Sequence, residues 1–282
     1  MIDVFKAIVL GIIEGITEWL PISSTGHLII FDRFLKMSTS AEFNEMFNVV
    51  IQLGAIMAVV VLFWGKLFPF TCRKSQNCIA VKNVYIKKDI IKLWCKVIIA
   101  VIPSGIVGVL FDDKIDELLF NPTTVAIALI VYGIGFIIVE KLNKNRVPKI
   151  PSTAVLDYKT AFIIGLFQVL ALVPGTSRSG TTILGAILIG VSRTASAEFS
   201  FYLAIPTMFG ASLLKLVKFG FAFTGIEFVI LATGMITAFV VSVIFIKWLM
   251  DYIKKNSFSL FGYYRIILGI AVLVLSFSGV IN

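Results

Sequence analysis

The chain is predicted to be an all-α polytopic membrane protein with six transmembrane helices, two re-entrant helical hairpins and an inverted-topology internal repeat. Three observations predict this. Of 282 residues, 59% are hydrophobic and 15% charged, with a mean hydropathy of +1.00. A soluble domain of that length needs far more polar surface. Six apolar segments are each long enough, or nearly so, to cross a hydrocarbon layer, which takes about 20 helical residues. Two further apolar regions are interrupted by polar residues, and they resemble each other.

The first interrupted region, residues 4–31, contains "EGITEWLPISSTGH", Glu14 to His27. No A-x-A cleavage signal follows its leading apolar run, so it is expected to be structure and not a removed signal peptide. Broken backbone at membrane depth persists only where it is buried in protein or lines a polar cavity. The region is therefore read as a hairpin that enters the membrane without crossing it. Apolar segments follow at 46–64, 91–111 and 122–140. The second interrupted region, 160–191, contains "VPGTSRSGTT" and is read in the same way. Segments 197–217, 226–249 and 263–281 complete the six crossings.

Charge sets the expected orientation. Net charge is +9, and the cations cluster between apolar runs. Residues 65–96 carry Lys66, Arg73, Lys74, Lys82, Lys87, Lys88, Lys92 and Lys96. The 141–159 connection carries Lys141, Lys144, Arg146, Lys149 and Lys159, and a third basic stretch holds Lys247, Lys254 and Lys255. By contrast, Asp112 to Glu117 reads "DDKIDE". Basic stretches in the cytoplasm and the acidic one outside satisfy six crossings and two hairpins. The basic balance thus sets topology and attracts anionic headgroups. No nucleic-acid partner is expected. Cys72, Cys78 and Cys95 lie in or beside the most basic stretch; an odd count with no nearby His yields neither a disulfide framework nor a zinc site.

The repeat aligns "GIIEGITEWLPISSTGH" from Gly11 with "GLFQVLALVPGTSRSGT" from Gly165, and "SAEF" at Ser40 with "SAEF" at Ser196. A Gly–Ala pair follows each, Gly54–Ala55 and Gly210–Ala211. One membrane domain, 1–282, is expected to divide into repeats 1–141 and 157–282. Each half holds three crossings, an odd number, so the second half is inverted.

The polar residues of the hairpins carry the chemistry. Glu14 and Glu18 are one helical turn apart, about 6 Å on one face. Two carboxylates in a low-dielectric site repel unless a cation sits between them, and a divalent metal with oxygen ligands is the economical answer. A solvated acidic wall is the plainer reading, and the setting between Ile13 and Trp19 weighs against it. Pro21 ends the first helix, and Ser23, Ser24 and Thr25 supply hydroxyls to cap the next, whose N-terminus suits an anion. His27 is the only histidine. A lone His is usually structural, but this one shares a broken segment with the acidic pair and could act as base, nucleophile or general acid. In the second hairpin, Arg178 suits bidentate binding of phosphate oxygens, Gly175 and Gly180 permit close backbone approach, and Thr176, Ser177 and Ser179 cap a helix expected near Thr181. Such a set suits phosphoryl transfer on a substrate with a lipid tail.

"EGITEWLPISSTGH" and "PGTSRSGTT" resemble, without gaps, the two signature regions of the bacterial undecaprenyl-diphosphatase family, also called bacitracin-resistance proteins. The resemblance spans the whole chain. It implies removal of the terminal phosphate of undecaprenyl diphosphate, giving the monophosphate carrier reused in cell-wall synthesis. It also implies dependence on Mg2+ or Ca2+ and an active site on the outer face of the bacterial cell membrane. Residue by residue, Glu14 and Glu18 resemble the family's metal-associated acids, and Ser24 and His27 its hydroxyl and imidazole. Ser177, Arg178, Ser179 and Thr182 resemble the second motif, with Arg178 as phosphate clamp. Ser24, His27 and a metal-bound water all stand as candidate nucleophiles. The type-2 phosphatidic acid phosphatases use two His residues, which a chain with one cannot copy. Expected partners are the polyprenyl diphosphate and membrane lipids, with a homodimer as an open assembly state. The competing function is a transporter or flippase of an anionic polyprenyl lipid, for which an inverted repeat would also serve.

Overall fold

Apolar runs bounded by hydroxyl, Pro and Gly residues become helices with conventional caps. The computed structural model describes residues 1–71, 78–81, 84–220 and 223–281. The first interrupted region forms α1 (Ile2–Thr17) and α2 (Ser24–Leu35), separated by a non-helical turn. α3 (Ala41–Leu62) starts at Ser40, whose hydroxyl accepts the Phe43 amide. After a single turn, α4 (Trp64–Leu67), come β1 (Phe70–Thr71), β2 (Cys78–Val81) and β3 (Val84–Lys87), an antiparallel sheet in the order β1-β3-β2. α5 (Lys88–Leu119) and α6 (Pro122–Asn143) follow, the latter capped by Asn121 with Pro122 at its start. Proline there loses nothing, because its missing N–H would have no partner in the first turn.

The second interrupted region forms α7 (Tyr158–Val169), a 3-10 turn (Leu170–Leu172) and α8 (Arg178–Leu188). Then come α9 (Arg193–Phe219), α10 (Gly225–Lys255) and α11 (Ser259–Phe277). α10 opens with a reciprocal capping box between Thr224 and Glu227.

Six of the described helices are long and apolar enough to cross a membrane: α3, α5 to Phe111, α6, α9, α10 and α11. They match the six expected segments, and the chain is a multi-pass α-helical membrane protein. Ile98, Ile102 and Ile106 on α5, and Ile127, Val131, Ile134 and Ile138 on α6, form exposed apolar stripes at helical spacing, the faces that lipid covers.

α1 packs along α10, α5 along α7, and α6 along α11, while α3 lies against both α9 and α10. At the α6–α11 crossing Gly133 faces Gly262, and a Cβ on either would lie 2.7 Å from the other's carbonyl oxygen. Trp19, Phe136, Phe199, Phe201 and Phe258 are fully buried in the main apolar cluster.

Three expectations are refined. The basic stretch 65–96 includes a sheet, and Lys88, Lys92 and Lys96 are already on α5, one turn apart, with Lys96 buried. The acidic "DDKIDE" run is the end of α5 beyond the spanning segment, since its Asp, Lys, Ile and Glu residues can continue a helix already nucleated. α8 begins at Arg178 rather than near Thr181, because Ser177 is the residue that caps it. Of the three cysteines, Cys72 lies outside the described residues and Cys95 is an exposed free thiol.

Candidate active site

Each break in the backbone is made by a serine in the left-handed region, Ser23 at φ 73° and Ser177 at φ 70°. A non-glycine residue there is strained by about 1 kcal/mol or more. A local bond offsets the strain in both cases. The Ser23 hydroxyl accepts the Gly26 amide and the Ser177 hydroxyl the Gly180 amide, each at 3.2 Å. The two turns bring the first residues of α2 and α8, Ser24 and Arg178, to one carboxylate, Glu18.

Arg178, first in α8, reaches back to Glu18, the residue that ends α1. Its Nη2 donates to Glu18 Oε1 at 2.8 Å, with both side chains about nine-tenths buried. Nη1 donates to the Ser200 carbonyl (2.8 Å) and hydroxyl (3.1 Å) on α9. Ser200 in turn meets Thr182 at 2.8 Å, and Thr182 donates to the Arg178 carbonyl at 2.8 Å. This closed circuit fixes the guanidinium, which also lies 5.7 Å over the Trp19 ring. Ser24 Oγ donates to the other Glu18 oxygen, Oε2, at 3.4 Å. Glu14 is fully buried, neither of its oxygens has a hydrogen-bond partner, and the charged groups that face it are Glu18 and Arg178.

The structure thus brings Glu14, Glu18, Ser24 and Arg178 into one site. His27 sits one turn along α2, its Nδ1 2.7 Å from the Ser23 carbonyl and its Nε2 2.8 Å from the Tyr264 hydroxyl. Ser179 does not cap. Its hydroxyl donates to the Glu18 carbonyl at 3.1 Å and stitches the two segments together, while Ser177 Oγ lies 3.1 Å from it. Thr176 donates back to the Leu170 and Val173 carbonyls at 2.9 and 2.8 Å, closing its own turn. Thr25 lies half-buried in the first turn of α2.

Gly175 and Gly180 are required by the packing of the protein itself. Gly175 has φ 92°, and a Cβ would lie 2.6 Å from the Val125 carbonyl; at Gly180 a Cβ would meet Arg265 Nη1 at 2.9 Å.

Arg265 is the main residue that the motifs did not reveal. Fully buried on α11, it donates through Nη1 to the Pro21 carbonyl at 3.1 Å and through Nη2 to those of Gly175 and Thr176 at 2.8 and 2.9 Å. One side chain thereby satisfies both broken segments. Its signal in the sequence is a lone cation inside an apolar run, and intramembrane charges are functional or structural by default. Ser200 and Tyr264 were also missed; neither stands out in composition. A separate cavity of about 300 Å3, lined by Arg146, Lys149, Ser192, Arg193 and Lys254 among others, contains none of the site residues.

Among the described residues no three His, Cys, Asp or Glu side chains cluster as a ready-made metal cage. The paired carboxylates nonetheless fit a hard cation. Two buried carboxyls side by side face one guanidinium, so charge balance leaves room for a further cation, and Mg2+ characteristically takes one or two carboxylates and completes its shell with water and substrate phosphate.

Charged and hydroxyl groups gathered between spanning helices in this way mark a membrane protein with a functional polar site. The chain belongs to the bacitracin-resistance family: residues 7–271 match the family described as Bacitracin resistance protein BacA. It is 63% identical over 274 residues to an undecaprenyl-diphosphatase of Acetivibrio thermocellus, covering 97% of this chain and 98% of the relative. An undecaprenyl-diphosphatase of Lachnoclostridium phytofermentans is 60% identical over 271 residues, 96% of each chain. Undecaprenyl-diphosphatase 1 of Clostridioides difficile is 58% identical over 277 residues, 98% of this chain and 97% of the relative.

Proposed function

We propose that this membrane enzyme hydrolyses undecaprenyl diphosphate to undecaprenyl phosphate and inorganic phosphate, recycling the lipid carrier of cell-wall synthesis. The names of its relatives support the reaction, and the Arg178–Glu18 pair is the observation that ties it to this chain. Residues 160 positions apart meet in a buried ion pair that a phosphate can exchange into. A terminal phosphate takes Arg178 through its planar fork, with the hydroxyls of Ser23 and Thr25 as further donors, while those of Ser179 and Thr182 stay on the Glu18 and Arg178 carbonyls and hold the fork in place. Glu18, released from Arg178, is then free to accept the Ser24 proton.

Ser24 is the nucleophile this geometry favours, because its hydroxyl already points at a carboxylate while both nitrogens of His27 are engaged. Its oxygen forms the new bond to the terminal phosphorus as the bond to the bridging oxygen breaks, and undecaprenyl phosphate leaves. Water then cleaves the phosphoserine, releasing phosphate. Glu14 and Glu18 would hold a Mg2+ or Ca2+ ion, which when bound supplies charge neutralisation for the phosphate oxygens.

The same reading orients the site outward. Basic stretches on the cytoplasmic side and the acidic end of α5 outside support a first break that opens toward the external face. The two interrupted regions are re-entrant hairpins of an inverted repeat, 1–141 and 157–282. The helix pairs support this: α1 with α10 answers to α7 with α5 when the halves are exchanged. That symmetry is also what favours lipid transport as a second reading.

The test is phosphate release from undecaprenyl diphosphate by detergent-purified protein, with and without chelator. Release that stops on chelation and in Arg178→Ala is expected. Folded protein that releases no phosphate yet moves the lipid across liposomes would replace the phosphatase with a transporter.

A further inference from the structure

His27 is the chain's only histidine and is 7% exposed. Its Nδ1 lies 2.7 Å from the Ser23 carbonyl oxygen, which can only accept. Nδ1 therefore carries a proton, and in the neutral ring Nε2 is left with a bare lone pair. Opposite that lone pair, at 2.8 Å, is the hydroxyl of Tyr264, which must donate. The rings lie nearly parallel, 10° apart with centroids 5.6 Å from each other. Tyr264 is 43% exposed, so its phenol stands between the buried imidazole and the outside of the protein.

Two constraints make this arrangement specific. The carbonyl that fixes Nδ1 belongs to Ser23, the strained residue at the break, so the ring is oriented by the same turn that presents Ser24. On the other side, Tyr264 precedes Arg265, whose guanidinium is locked to carbonyls of both broken segments. The setting of α11 that seats Arg265 thus also sets the phenol against Nε2.

We propose that Tyr264 is a positioning residue for the reaction: the Ser23 carbonyl fixes His27 as the Nδ1–H tautomer, and the Tyr264 hydroxyl keeps the Nε2 lone pair directed at a hydroxyl-type donor. The acid–base service of His27 then runs through Nε2 alone. The water that cleaves the phosphoserine takes the place the phenol occupies at rest and gives its proton to Nε2 as its oxygen bonds to phosphorus and the Ser24 oxygen leaves. The role rests on the phosphatase reading, but the contact itself can be tested without it.

A single histidine makes the test unambiguous, since 15N-histidine labelling of the full chain in detergent gives signals from one ring only. At about pH 8, where an ordinary imidazole is neutral, wild-type protein is expected to give the Nδ1–H tautomer with a hydrogen-bonded Nε2. Tyr264→Phe keeps the half-exposed ring and removes only the hydroxyl. It is expected to keep the tautomer, move the Nε2 resonance by several ppm toward that of a free lone pair, and lower kcat about tenfold with KM within about twofold. An Nε2–H tautomer or an imidazolium in the wild type would overturn the proposal, as would an Nε2 resonance unmoved by the substitution. A change in KM alone would make Tyr264 a substrate contact and not a positioning residue. Wild-type protein that shows the predicted tautomer but no phosphate release would sink the phosphatase reading while leaving the His27–Tyr264 contact established.

Discussion

Ser23 and Ser177 adopt the same uncommon backbone conformation, φ 73° and 70°, and each uses its hydroxyl to accept the amide of a glycine three residues on. They are also the residues that the internal alignment pairs. The breaks in the two apolar regions therefore depend on one device used twice, in which a capping bond holds a residue where its Cβ is unwelcome.

Ser177 makes that balance measurable. Ser177→Ala keeps the strained φ and loses the cap, so it should cost about 1–2 kcal/mol. Ser177→Gly loses the cap but relieves strain of similar size, leaving stability within about 0.5 kcal/mol of wild type. Thermal unfolding in detergent should rank glycine above alanine. The reverse order would mean that the serine is not strained.

Arg178 and Glu18 should respond as partners. Arg178→Lys keeps a charge but cannot reach Glu18 and Ser200 with a planar fork, and phosphate release should fall at least about 100-fold. Arg178→Ala should abolish release while the protein remains folded and extractable. Glu18→Gln should raise the divalent-metal requirement or eliminate activity, read from metal titrations. An unchanged titration would remove Glu18 from any ligand set.

Six spans were legible because lipid demands long apolar runs, and a 20-residue run has few other uses. The broken segments were legible for the opposite reason: Pro21, Pro174 and the Ser–Thr–Gly runs around them conflict with continuous helix. Arg265 and Tyr264 carried no such local conflict. What matters about Arg265 is the meeting of carbonyls from Pro21, Gly175 and Thr176, which only the assembled fold brings together. The sheet of β1, β2 and β3 was hidden by the basic composition of its segment, where charge spoke of topology and not of strand pairing.

Arg265 should be intolerant of replacement. Arg265→Met matches its length without its donors, leaving three buried carbonyls unpaired at about 1–3 kcal/mol each. Loss of several kcal/mol, with activity lost alongside, is expected. Arg265→Lys has one ammonium for positions on two segments and should recover only part of the stability. A melting temperature near wild type for Arg265→Met would show that the carbonyls find other partners.

Gly165 tests how tightly the second broken segment is docked. A Cβ there would lie 2.2 Å from the Ala100 carbonyl oxygen on α5, far inside contact distance, and backbone cannot rotate aside as a side chain can. Gly165→Ala must push α7 from α5, at a cost of about 1–3 kcal/mol, as for other overpacked sites. Gly210 on α9 is the control, with nothing within 4 Å of its virtual Cβ. Gly210→Ala should be neutral or raise stability by up to about 1 kcal/mol, since alanine is the better helix former. Because α7 carries the chain into the turn that presents Arg178, Gly165→Ala should also lower phosphate release, while Gly210→Ala leaves it unchanged. Equal melting temperatures for the two variants would mean that the α5–α7 crossing yields easily and does not hold Arg178 in place.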